Sequence, residues 1–282
     1  MMDGALDMRL QRDHRAQVQS AELEQSNHEA CASGGTSLHA CAQGPWHIGA
    51  ETGFLAGLAV GAVMLSLWAS RLREFPGRDA FIMTHIGMLW WLSAAALEMA
   101  APTFNCKMLI ATLAWPGVMV VAVFWCVFLH RLVCASDARF QPQRIWPFLI
   151  GIGAGSGLAV SNPWHGWLYG PQSRLAGTMP GAQIIFDHGP LFFVFVIVLY
   201  TFLSFGILKI LRALIANKSI MHNQLKTCLG FTVLPIAINL AYVFGGVRIF
   251  DFDPTPFSFI ITLAGFTWLI TNSFDDGATK KF

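Results

Sequence analysis

The sequence predicts an all-α polytopic membrane protein, a seven-transmembrane-helix bundle, and three observations carry that prediction. Of 282 residues, 55% are hydrophobic and only 12% charged, against about 25% charged in a soluble domain. The apolar residues gather in runs that meet or approach the roughly 20 needed to cross a bilayer. Basic residues concentrate in alternate joints between those runs. This composition excludes a disordered chain, a disulfide-rich secreted domain and a soluble enzyme. The net charge of +2 gives no basis for nucleic-acid binding.

Residues 1–49 differ from the rest. Asp3, Asp7, Asp13, Glu22, Glu24 and Glu29 face only Arg9, Arg12 and Arg15 in charge, and Ala30 to Gly35 are all small. The segment lacks the basic and apolar regions of a signal peptide. It is too poor in large apolar residues to bury a core. A disordered polar tail, or an extension of the gene model, is expected there.

The bundle is expected over 50–274, with a short cytoplasmic tail at 275–282. The runs lie near 50–70, 79–100, 106–134, 145–161, 189–214, 223–247 and 255–274. Lipid offers no partner to an open backbone, so each should be a helix. The fourth is the shortest and glycine-rich, and Gly151 with Gly155 fits a close-packing face. In the sixth, Pro235 and Asn239 stand one turn apart. Proline frees a carbonyl that asparagine or a neighbouring helix can bond, so the pair is a candidate signal-transmission hinge or simply a packed kink. Before the seventh, Asp253 can cap, and proline is accepted in a first helical turn.

Orientation follows from Lys and Arg. Arg71, Arg73 and Arg78 follow the first run, and Arg131, Arg139 and Arg144 the third. Lys209, Arg212, Lys218 and Lys226 surround the fifth joint, and Lys280 and Lys281 close the chain. The opposite joints hold only Lys107, Arg174 and Arg248. The amino terminus is therefore expected outside and the carboxyl terminus in the cytoplasm, in the cell inner (plasma) membrane. Trp68 and Trp146 suit one interfacial belt, and Trp46, Trp164 and Trp167 the other. Trp90, Trp91, Trp115 and Trp125 lie deeper and are expected to pack.

Catalytic constellations are missing from the sequence: it has no phosphate loop, nucleophile elbow or H-E-x-x-H. The last run has no lysine for a retinal Schiff base. The six cysteines fit no zinc or iron–sulfur spacing. Cys31 and Cys41 are a candidate disulfide in an exported tail, and the others read as small buried apolar residues. His85 and His130 form the one intramembrane pair open to haem, and an interfacial or packed position is the alternative for either. No enzyme, cofactor or metal is expected.

The joint 162–188 opens Asn162-Pro163-Trp164-His165-Gly166-Trp167 and closes Asp187-His188-Gly189-Pro190-Leu191-Phe192. Prolines stiffen it and aromatics supply contact area. Glu98 ends the second run on the same side, and a carboxylate near lipid is functional by default. Glu98, Asn162, His165, Asp187 and His188 are the candidate ligand-binding residues. The bland alternative is an interfacial loop anchored by Trp164 and Trp167, with wet histidines.

Taken in order, these motifs resemble the seven-transmembrane amino-terminal sensor region of bacterial histidine kinases. The resemblance rests on Phe75-Pro76-Gly77-Arg78 with Phe81, Trp90, Leu97-Glu98, Trp125 and Phe128. It continues with Asn162-Pro163, His165, Gly189-Pro190-Leu191-Phe192, Gln224, Pro235, Asn239, Thr255-Pro256 and Phe257. It implies a seven-helix receptor module coupled to a cytoplasmic output. Two departures are His130, where the family tends to an aromatic, and a chain that stops at Phe282 without kinase motifs.

The expected function is a membrane-embedded sensor that receives an extracytoplasmic or membrane signal. It would pass that signal to a cytoplasmic partner, to a missing output domain, or through self-association. The alternative is an accessory subunit of a larger membrane complex. A small-solute transporter ranks last, because ionisable groups are scarce in the deep runs and no internal repeat appears.

Overall fold

Each apolar run becomes a helix. In the computed structural model the described residues are 41–42, 44–72, 74–134, 142–177, 182–216, 222–246 and 254–275. The long helices are α1 (Ala50–Arg71), α2 (Arg78–Ala100), α3 (Phe104–Cys134), α4 (Pro142–Val160), α5 (Pro190–Ile215), α6 (His222–Gly245) and α7 (Thr255–Asp275). One helical turn, Asn162–His165, succeeds α4, and strands β1 (Arg174–Leu175) and β2 (Ile184–Ile185) pair antiparallel in the next joint.

Five helices, α1, α2, α3, α5 and the Leu225–Gly245 part of α6, are long and apolar enough to cross a membrane. This is an all-α, multi-pass membrane protein. In α4 the apolar stretch is only Ile145–Val160. In α7 hydroxyl residues dilute the hydropathy, and two of them bond inside the helix: Thr267 Oγ1 donates to Leu263 O (2.7 Å) and Thr271 Oγ1 to Thr267 O (2.8 Å).

Helix contacts run in a circuit α2–α3–α5–α6–α7 and back to α2, with α1 lying on α2 and α7, and α4 on α3. The interior is aromatic. Trp125 and Phe128 of α3 meet Phe266 of α7 at 4.7 and 5.6 Å between centroids, and Phe81 of α2 meets Phe128 at 4.9 Å. Outward faces keep bulky apolar residues such as Met64, Leu67, Ile197 and Leu208 exposed. Such patches would aggregate in water and are ordinary against lipid tails.

Small residues set the closest crossing. A Cβ on Gly117 would stand 2.8 Å from Trp91 N, and one on Gly87 3.0 Å from Gly117 O. Trp90 lies midway along α2 as expected but faces outward instead of packing in the core: it is 52% exposed, and its Nε1 donates to Leu113 O across the crossing (2.7 Å). The Gly151 and Gly155 face is corrected too. Gly155 abuts Met119, whereas among the described residues nothing lies within 4 Å of a Cβ on Gly151.

Residues 1–40 and 276–282, with Cys31, Asp253, Lys280 and Lys281, lie outside the described residues. The end of the expected tail is tied down rather than disordered. Cys41 forms a disulfide with Cys106 of α3, and His47 N–H donates to Ala100 O (2.9 Å). Cys106 is thus a bridge, not merely a small apolar residue. Among the free cysteines Cys126 and Cys228 are buried and Cys134 is exposed.

Candidate ligand-binding site

The joint after α4 folds into a cap on one end of the bundle, the loop face. Pro163 sits in the helical turn, which Gly166 closes at φ 64°. Asn162, 5% exposed, holds the backbone that leaves this turn. Its Oδ1 accepts from the N–H groups of Leu168 (2.8 Å) and Tyr169 (3.1 Å), and its Nδ2 donates to Tyr169 O (3.2 Å). One side-chain amide thereby satisfies buried backbone that no strand partner reaches.

Asp187 closes the same loop. Its Oδ2 accepts from Gln172 N–H (3.3 Å), its N–H donates to Ser173 Oγ (3.0 Å), and its carbonyl accepts from Gly170 N–H (2.7 Å). A Cβ at Gly170 would overlap the Asp187 carboxylate, and one at Gly189 would overlap Trp167 O. His165 Nδ1 accepts from Trp167 N–H (2.9 Å), so Nε2 carries the hydrogen. It lies 3.2 Å from both Leu158 O and Ser161 Oγ and finishes α4. Trp164, 83% exposed, stands free of the fold.

Under this cap lies a cavity of about 220 Å³ inside the helix circuit. The cap contributes Tyr169, Phe186 and His188 to its wall. From α2 come Trp91 and Glu98, and from α3 come Ala111, Ala114 and Trp115. Small alanines leave the space that the aromatics enclose. Trp115 Nε1 donates to Tyr169 OH (3.0 Å), and Tyr169 stacks on Phe186 at 4.4 Å. The His188 ring stacks on Phe192 of α5 at 3.9 Å. His188 keeps an exposed edge; the partial burial of its ring lowers its pKa below the usual histidine value, and the Asp187 charge opposes that shift.

Glu98 stands beside a buried lysine. Lys107, 2% exposed, donates from Nζ to Glu98 O (2.8 Å) and Met99 O (2.9 Å). Both are last-turn carbonyls of α2, and Glu98 O also accepts from the Ala101 N–H (3.3 Å). Lys107 acts on the Glu98 carboxylate through space.

On the far wall a hydrogen-bond chain joins three helices. Tyr200 OH of α5 donates to Asn239 Oδ1 of α6 (2.5 Å), and Asn239 Nδ2 donates to Thr255 Oγ1 of α7 (2.9 Å). All three residues line the cavity, as does Pro235. The carbonyl that Pro235 frees, Phe231 O, accepts from Thr262 Oγ1 of α7 (2.9 Å), so Asn239 is released for the longer link.

The structure thus brings Glu98, His188, Pro235 and Asn239 to one cavity and leaves Asn162, His165 and Asp187 in the scaffold that roofs it. Sequence reading missed Lys107, Trp115, Tyr169, Tyr200 and Thr255. A signal was present: the chain has 23 phenylalanines but three tyrosines, and Tyr169, Tyr200 and Tyr242 all line the cavity. A phenol among lipid-facing helices needs a polar partner. Among the described residues no cluster of three or more His, Cys, Asp or Glu could hold a metal. His85 Nδ1 donates to Phe81 O (2.9 Å), within its own helix.

The fold is that of a multi-pass helical membrane bundle with a capped cavity among its helices. The family model for the N-terminal 7TM region of histidine kinase matches residues 53–273, and the chain belongs to that family. No curated protein matches it.

Proposed function

We propose that this chain is the sensor module of a two-component-type signalling system. It receives an extracytoplasmic or membrane signal in the capped cavity and passes it to a cytoplasmic partner or output domain. One observation carries the reading. The wall that would touch a ligand contains the Tyr200–Asn239–Thr255 chain, so an occupant acts directly on the contact between α5, α6 and α7. A ligand shifts a bundle only through different affinities for its states, and this chain is the element whose geometry such an occupant would bias.

All seven helices cross the inner membrane, with the loop face outside and the carboxyl terminus in the cytoplasm. The distribution of Lys and Arg supports this. The Cys41–Cys106 disulfide supports it as well, because such bonds persist on the oxidising side. The basic joint between α5 and α6 is the surface left for output.

A thermal-shift screen of membrane-soluble compounds on the protein in nanodiscs tests the reading. A hit should lose its effect in Ala114→Phe, which fills the cavity, and keep it in His165→Ala. A shift indifferent to Ala114→Phe would remove the cavity from the mechanism.

A further inference from the structure

We propose that the cavity takes an organic ammonium, a protonated or quaternary amine on an apolar body, whose charge pairs with Glu98 while the body lies among the aromatic rings. This rests on the cavity being the receiving site and names the chemistry it selects.

Charge on the wall decides the class. Among the described residues no lysine or arginine lines the cavity, and Glu98 is its one carboxylate. That carboxylate makes no hydrogen bond to a described residue. Lys107 is its nearest compensating charge, but its ammonium is committed to the carbonyls of Glu98 and Met99 behind the wall. The one charged group on the described wall is Glu98, so an occupant meets acidic and no basic chemistry there. An anionic headgroup would meet repulsion there, and a neutral one would leave the carboxylate without a counter-charge in a mostly apolar cavity.

The remaining polar groups of the wall are already engaged. Tyr169 holds Trp115, and Tyr200, Asn239 and Thr255 bond one another. His188 is pushed toward its neutral form and adds no competing cation. Electron-rich ring faces complete the fit, because Trp91, Trp115 and Tyr169 line the same cavity as Glu98. Cation–π attraction strengthens when water is excluded.

The test uses the full chain in zwitterionic nanodiscs and three probes of one chain length: decyltrimethylammonium, decanol and decanoate. The readout is the concentration giving half of the thermal shift. We expect decyltrimethylammonium to act at a concentration at least about tenfold lower than the other two. Glu98→Gln should erase that preference and Glu98→Asp should keep part of it. If decanol or decanoate matches the ammonium in wild type, and Ala114→Phe abolishes the shifts, the ammonium class is wrong and the cavity stands. If no probe shifts wild type, or Ala114→Phe leaves the shifts intact, the cavity reading falls with it. Should Glu98→Gln fail to fold, the wild-type ranking of the probes decides alone.

Discussion

Asn162 shows how a polar residue in a membrane protein can serve the scaffold instead of the ligand. Its amide satisfies three backbone groups of the cap, and removing it leaves buried donors bare at about 1–3 kcal/mol. We expect Asn162→Ala to open the cap, read as faster proteolysis within 166–188 and a lower unfolding temperature. His188 makes a pH-dependent contribution of predictable sign. Its folded pKa lies below the usual histidine value. As pH falls from 7 through that value, the unfolded chain takes up the proton first, so stability is lost on acidification. We expect wild-type thermal stability to decline from pH 7.5 to pH 5, and His188→Gln to decline less. An equal decline in both would show that the ring is not desolvated by the cap.

At the scale of elements, α6 and α7 are joined by two separate devices. Phe231 O with Thr262 repairs the Pro235 kink, while Asn239 links outward to Tyr200 and Thr255. Interhelical hydrogen bonds in membranes contribute only about 0.6 kcal/mol each, so the outward link is a poor staple and a suitable switch. Asn239→Leu should change thermal stability little and remove the coupling between cavity occupancy and movement of α6. Measuring occupant affinity alongside that movement separates the two effects. The α2–α3 crossing is the rigid counterpart. Gly117→Leu drives a side chain into Trp91 N and Gly87 O and should cost about 1–3 kcal/mol or more through overpacking, read as loss of folded protein in detergent.

Across the whole molecule, the helices were legible in the sequence because run length against bilayer thickness is a one-dimensional property. Glu98 and His188 were legible as rare polar groups near one face. The cavity was not, since Tyr169, Tyr200 and Trp115 meet only once the cap folds over the register of three helices. Nor was the Cys41–Cys106 bridge, whose partners stand 65 residues apart and have no spacing signature. That bridge belongs to the topology: we expect an impermeant maleimide to label Trp164→Cys in intact cells, and Ile215→Cys only after permeabilisation. The reverse pattern would invert the receptor.

The claim on which the rest depends is that filling the cavity moves the opposite end of the bundle. Ile215 at the end of α5 and Lys226 near the start of α6 are both exposed, and bio-orthogonal spin labels at these sites report the distance between the helices by pulsed electron resonance. With an occupant that saturates wild type, we expect the distance distribution to shift, and to stay put in Asn239→Leu. An unchanged distribution in wild type at full occupancy would contradict signal transmission through α5, α6 and α7.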